Sequence, residues 1–415
     1  MQVAALANTF IHDPRMGPVA TVALTPAETD GRDKSEILAD LSSAIARRWS
    51  LEAERGLLAA LDVAEPGEIL EALLPVALRR NQLDDHYLLY PIYAFRACDS
   101  LGWEWAEAIL RPVVRYLARH PLTDAVGEVR LPNILEGTRL YHDFQALEDL
   151  IEAHGLTEDR VPIRTSESEL PAVETLAERI AAVPDIREIG GLVAEAMGEG
   201  LSLEGAVDAL SYGGGMLYLR CHSGNPFEVH IHTGVSARRY LVGLDGISFR
   251  SRAIALLNWC LGLEVRYLTP KLTLPIKAEA TCMAALPERN QEDLLAALIA
   301  SIEGQPPVDL EAITVAVDDL IAPDSLAETL ILAQQYAEAG YDAEPLFLAL
   351  AELVCRDEQT EMHAYKLQQA AWEEYHAVPP AFRWVHLMAA ARHAACVVNM
   401  LPKTVWPRAA GLLTR

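Results

Sequence analysis

Cysteine is scarce in this chain of 415 residues: there are six, at 98, 221, 260, 282, 355 and 396, with no CxxC pair. Disulfide frameworks belong to small secreted domains and cysteine zinc sites need close pairs, so both are excluded. Positive charge is also short, with 34 Lys and Arg against 59 Asp and Glu and a formal net charge of −25. Phosphate backbones and anionic membrane surfaces are held by clustered Lys and Arg, so neither nucleic acid nor membrane is an expected partner. No uncharged apolar run reaches the roughly 18 residues of a membrane span. No basic segment leading into a long apolar core marks a secretory signal, so a reducing cytoplasm is the expected location. Also missing are the GK[ST] ending of a phosphate loop, a GxSxG elbow, and the paired ExxH motifs of ferritin-like di-iron proteins.

What is present is helix-forming sequence. With 51% hydrophobic and 22% charged residues, the chain can bury a sizeable core. Apolar residues recur at three- and four-residue spacing, which predicts amphipathic helices over 36–53 (with Ser35 as N-cap), 68–80, 105–118, 145–152, 172–182, 187–197, 291–302, 325–339 and 343–354. Only 265–274 and 313–317 have β-like character, and Pro270 weakens the first. The fold class expected is all-α, a multi-helix bundle with little or no β. Residues 156–171 form the most linker-like stretch. The triple glycine of Tyr212–Met216 is expected to permit a bend or a close helix approach.

A three-fold internal echo organises the chain around histidines, over about 65–120, 202–265 and 342–400. His86, His230 and His363 are each followed 19 positions later by an aromatic residue, Trp105, Phe249 and Phe382. Glu65 and Asp342 each stand 21 positions before the first and third histidines, where a preceding helix would begin. Each unit reads as helix, polar loop, histidine at a helix start, then a helix opened by an aromatic. Length divided by about 150 gives two to three domains; units sharing one histidine-lined centre would instead make 1–415 a single large helical domain.

Neutral imidazole is the commonest protein ligand of divalent transition metals, and helical bundles build metal sites from inward side chains on facing helices. His86 is the first candidate, with Tyr90 and Tyr93 on or near its helical face; the alternative is a helix-start histidine stabilised by Asp84 and Asp85. His230 and His232 form an HxH pair. With Thr233 or Ser236 as N-cap both precede the helix and point one way; inside a helix they diverge by roughly 200°. His363 and Lys366, three apart, share a helical face. A desolvated lysine near a metal loses its proton readily and can take up carbon dioxide as a carbamate ligand; the alternative is an ion pair with Glu361 or Glu373. His142 opens a further helix beside Asp143. His386 and His393, seven apart among Ala and Met, read as core or surface histidines.

These elements, His86 in an early helix, the His230-x-His232 segment and the His363-xx-Lys366 pair, resemble the questin oxidase-like group of helical proteins. That group consists of mononuclear non-haem iron oxygenases whose iron is held by four histidines and a carboxylated lysine. The resemblance implies iron as cofactor, Lys366 as the carboxylated ligand, His142 as a further nitrogen, and Tyr90, Tyr93 and Trp105 around the substrate. It implies dioxygen activation with oxidative cleavage of, or oxygen insertion into, an aromatic small molecule. Two other readings compete: a helical-repeat scaffold for protein interaction with incidental histidines, and a helical enzyme using histidine acid–base chemistry without metal.

Overall fold

Several helices in this protein begin at a side-chain cap, and some end at a glycine. Glu68 accepts from the Glu65 backbone N–H at 2.9 Å ahead of the N-terminal proline of Pro66–Arg80. Ser248 and Asn290 accept from backbone N–H groups at two other helix starts. Gly102 and Gly340 follow helix ends at φ of +108° and +68°, the left-handed region that side chains disfavour. The computed structural model describes residues 24–81, 85–119, 139–221, 226–259, 274–306, 308–309, 325–356, 363–398, 400–401 and 411.

The described chain is all-α. Its helices are α1 Lys34–Ala46, α2 Ser50–Val63, α3 Pro66–Arg80, α4 His86–Leu101, α5 Ala106–Arg119, α6 Arg139–Ala153, α7 Leu170–Ala182, α8 Ile189–Gly198 and α9 Leu203–Arg220. There follow α10 His230–Gly243, α11 Phe249–Leu257, α12 Ala280–Ala284, α13 Gln291–Glu303, α14 Leu326–Glu338, α15 Glu344–Val354, α16 His363–Ala377 and α17 Trp384–Val397. One two-residue parallel pairing, Val308–Asp309 with Met400–Leu401, is the β-structure among the described residues. The β-like stretches at 265–274 and 313–317 lie outside the described residues, apart from Leu274, which donates its N–H to the Arg220 carbonyl. No described helix is long and apolar enough to cross a membrane.

Most predicted helices match to within a few residues, but the one expected over 36–53 is two. Arg48 adopts φ +63° between α1 and α2, and the second helix starts afresh at Ser50. Ser35, expected as the N-cap, lies inside α1, whose N-cap is Asp33. The 156–171 stretch is tied down rather than loose: Leu156 and Val161 are buried, and Glu169 accepts from both the N–H and the hydroxyl of Ser202.

The contacts divide the chain into two compact units. In the first, Val22–Leu210 with Gly234–Arg266, α1 to α5 pack against one another, and α11 packs on α3, α6 and α8. Its buried charges are compensated locally. Burial alone would raise the Glu54 carboxyl, but hydrogen bonds from Arg115 at 2.7 Å and Arg111 at 3.1 Å hold it below its ordinary value.

In the second unit, which includes Ser211–Thr233 and Tyr267–Arg415, α17 is central. It packs against α13, α14, α15 and α16, and every residue from Val385 to Val397 is buried. A helix buried on all faces has no stripe of polarity, so polar groups on it need internal partners. The 211–220 stretch of α9 provides several. Tyr212 stacks on Phe382 at 4.5 Å, and a Cβ at Gly215 would lie 2.7 Å from Val385 Cγ2. The glycine run thus serves the close helix approach expected of it. Gly215→Ala should destabilise the protein by about 2 kcal/mol, the typical penalty of overpacking. Thermal denaturation of G215A, with V385A added to restore space, checks this: recovery in the double variant identifies the contact as the cause.

Candidate functional site

The second unit buries five histidines, His230, His232, His363, His386 and His393. His230 follows the 3-10 turn Pro226–Val229 and is the first residue of α10; His363 is the first residue of α16. Their rings meet at 5.3 Å between centroids, with a ring nitrogen of each within 4.8 Å of the other. Two imidazoles drawn from helix starts 133 positions apart therefore face one point, which is the local arrangement the repeat predicts for each histidine.

His232 points elsewhere. Because α10 has already begun at His230, the two side chains diverge around the helix. The expected N-caps are inside the helix as well, and the Thr233 hydroxyl donates back to the Val229 carbonyl at 3.2 Å. The HxH pair is thus not an extended two-toothed fork. The His232 ring stands edge-on to Tyr218 at 5.4 Å and to His386 at 5.6 Å. Both of its ring nitrogens are buried with no hydrogen-bond partner among the described residues. Burial pushes its pKa down to about 4.

Sequence reasoning left His386 and His393 as core or surface residues; both are fully buried and join the cluster. His386 Nε2 lies 3.3 Å from Ser211 Oγ, which donates to Glu374 at 2.6 Å. His393 Nδ1 lies 3.0 Å from the Tyr218 hydroxyl. Burial, then the Arg392 guanidinium and the neighbouring His363 and His232, pushes His393 down to about 3. Burial pushes the Tyr218 phenol far above its ordinary value. Arg392 lies over the Tyr218 ring at 4.4 Å and donates to the Cys221 carbonyl at 2.7 Å. The seven-residue spacing of His386 and His393 was visible in the sequence; their α9 partners, 175 positions upstream, were not.

Lys366 is half-buried on α16, one turn after His363. His142 lies in the first turn of α6, and its side chain is outside the described residues. His86, in the first unit, is half-buried and opens α4, its ring 4.9 Å from Tyr90, which in turn meets Tyr116 at 4.8 Å. Tyr93 takes a different neighbour, with the Arg96 guanidinium 5.3 Å from its ring centroid. Trp105 is 57% exposed, ahead of α5. Asp85, expected beside His86 as its charge partner, is buried 3.8 Å from the Arg238 guanidinium.

No family model, curated protein or solved structure matches this chain.

Proposed function

We propose that the protein is a metal-dependent oxidoreductase that holds one transition-metal ion, iron, through His230 and His363 and acts with dioxygen on an aromatic small molecule. The observation that carries this reading is the buried His230–His363 pair, whose rings meet at 5.3 Å from two helix starts. Neutral imidazole suits iron, zinc and copper, and a buried pair excludes the water that would compete for the ion. The choice of iron, dioxygen and an aromatic substrate follows the questin oxidase-like resemblance, as does carboxylated Lys366 one turn from His363. Bound iron would supply open coordination positions for a small co-substrate. The chain's own part is to present imidazoles in neutral form and to keep the surroundings dry.

The metal-free acid–base reading is less well supported. A general acid or base works best with a pKa near the working pH, whereas burial holds His232 near 4 and His393 near 3. Metal analysis of the full chain, purified after iron-replete expression, separates these readings and the interaction-scaffold reading. Close to one equivalent of iron is expected; less than about 0.2 equivalents of any transition metal would sink the proposal, since a multi-ligand site retains its ion.

A further inference from the structure

The Ser211 and Tyr218 side chains sit seven positions apart on α9, and their partners His386 and His393 sit seven apart on α17. Seven residues make two helical turns, so the two helices run side by side in the same direction with two polar rungs between them. Gly215, between the rungs on α9, allows this approach.

Each rung fixes a proton, because each hydroxyl has only one to give. At the first rung, Ser211 Oγ spends its hydrogen on Glu374 Oε2 at 2.6 Å. Toward His386 it can only accept, so His386 Nε2 carries the proton and Nδ1 keeps its lone pair. At the second rung, Tyr218 remains a phenol, and His393 Nδ1 is the acceptor within reach of its O–H. If His393 Nδ1 were the donor instead, the phenol hydrogen and His393 Nε2 would both be left without partners. Donation from Tyr218 leaves only one group over, the Nε2–H, and a buried donor without an acceptor is costly. The Arg392 guanidinium beside the ring adds a second donor facing the phenol and favours the same direction.

We infer that Ser211 and Tyr218 are positioning residues that set the proton positions of His386 and His393, so that His386 turns a bare Nδ1, and His393 a fixed Nε2–H, away from α9. The two histidines then do opposite work. His386 offers a lone pair, as a metal ligand or a hydrogen-bond acceptor does, and its proton-bearing nitrogen is braced through Ser211 to a carboxylate, the arrangement that steadies ligating histidines elsewhere. His393 has no lone pair to offer at Nε2 and is a donor for an oxygen atom of a bound molecule. That nitrogen has no hydrogen-bond partner among the described residues, and neither does either nitrogen of His232 nearby. The use of these groups in an oxygenase rests on the proposed function; the proton positions do not.

Long-range proton–nitrogen correlation spectra of the full chain, labelled with 15N at histidine and freed of metal by chelation, read the tautomers directly. Two neutral Nε2–H imidazoles are expected for His386 and His393 at neutral pH. Tyr218→Phe should shift one of them toward the Nδ1–H tautomer and leave the other in place. Ser211→Ala should do the converse, and Ser211→Thr, which keeps the hydroxyl, should restore the original spectrum. The inference is overturned if the unsubstituted protein shows buried imidazoles only as Nδ1–H tautomers, a result independent of how the variants fold. It is equally overturned if Tyr218→Phe folds and alters no imidazole. Because the spectra are recorded without metal, a failure of the iron reading leaves this outcome untouched.

Discussion

His230→Ala and His363→Ala, each made singly, are expected to purify with less than about 0.2 equivalents of metal from cells in which the unsubstituted protein carries close to one. Stability should fall in the same step. Replacing a buried imidazole by a methyl group leaves a cavity worth about 2–4 kcal/mol. The stabilisation that a bound ion confers on the folded state is lost as well. The two effects can be told apart by melting each protein with and without chelator. Chelation should lower the melting temperature of the unsubstituted protein and leave both variants unmoved. If both variants keep their metal, His230 and His363 are removed from the site whatever their proximity. The same assay on His86→Ala, His142→Ala and Lys366→Met sorts the other candidate ligands, and Tyr90→Phe and Tyr93→Phe test turnover with metal content held constant.

Mild acid should unfold the metal-depleted protein well before its carboxylates titrate. His232 and His393 have folded pKa values near 4 and near 3, against 6.5 for the ordinary side chain. Between those values the unfolded chain binds a proton that the folded chain refuses, so stability rises with pH across the window. It is fully present above about pH 6.5 and is lost as pH falls toward 4 and then 3. Each histidine contributes about 1.4 kcal/mol per pH unit, so the pair removes about 4 kcal/mol between pH 6.5 and 5. The carboxylates act later and lower: Glu54 and Glu169, both held below their ordinary value of 4.5, withdraw their stabilisation only as pH falls beneath it. Denaturant titrations at pH 7, 6 and 5 check the order of events. A midpoint that stays flat between pH 6.5 and 5 would mean that the cluster takes up protons while folded.

The all-α architecture was legible because helical periodicity is repeated over many turns, and α13 starts behind an asparagine cap, Asn290. The break at Arg48 was not, since apolar spacing continues across 36–53 and a single left-handed residue leaves no periodic trace. His230 and His363 were legible as helix-opening residues, and both open helices. The direction of His232 depended on where α10 starts: it opens at His230, four residues ahead of a helix capped by Thr233, and helix boundaries are the least legible part of a sequence. His386 and His393 were legible as core histidines, but their polar partners were not. Their helix has no solvent face, so its pattern carries no contrast between core and site. What distinguishes them is a serine, a tyrosine and a carboxylate supplied by other helices.

That buried helix also has a consequence for how the chain is made. Its rungs to α9 join residues 175 positions apart, among the most distant side-chain contacts in the second unit. The sequence of the first unit is complete once residue 266 has been synthesised, whereas the Ser211–Thr233 stretch of the second must wait for α17, near the end of the chain, to emerge. Contacts of such long sequence separation form slowly, because the intervening loop entropy is lost before they reward it. In the nascent chain, Ser211 and Tyr218 on α9 therefore await their partner helix while translation continues, which lengthens the time the second unit spends open to off-pathway association.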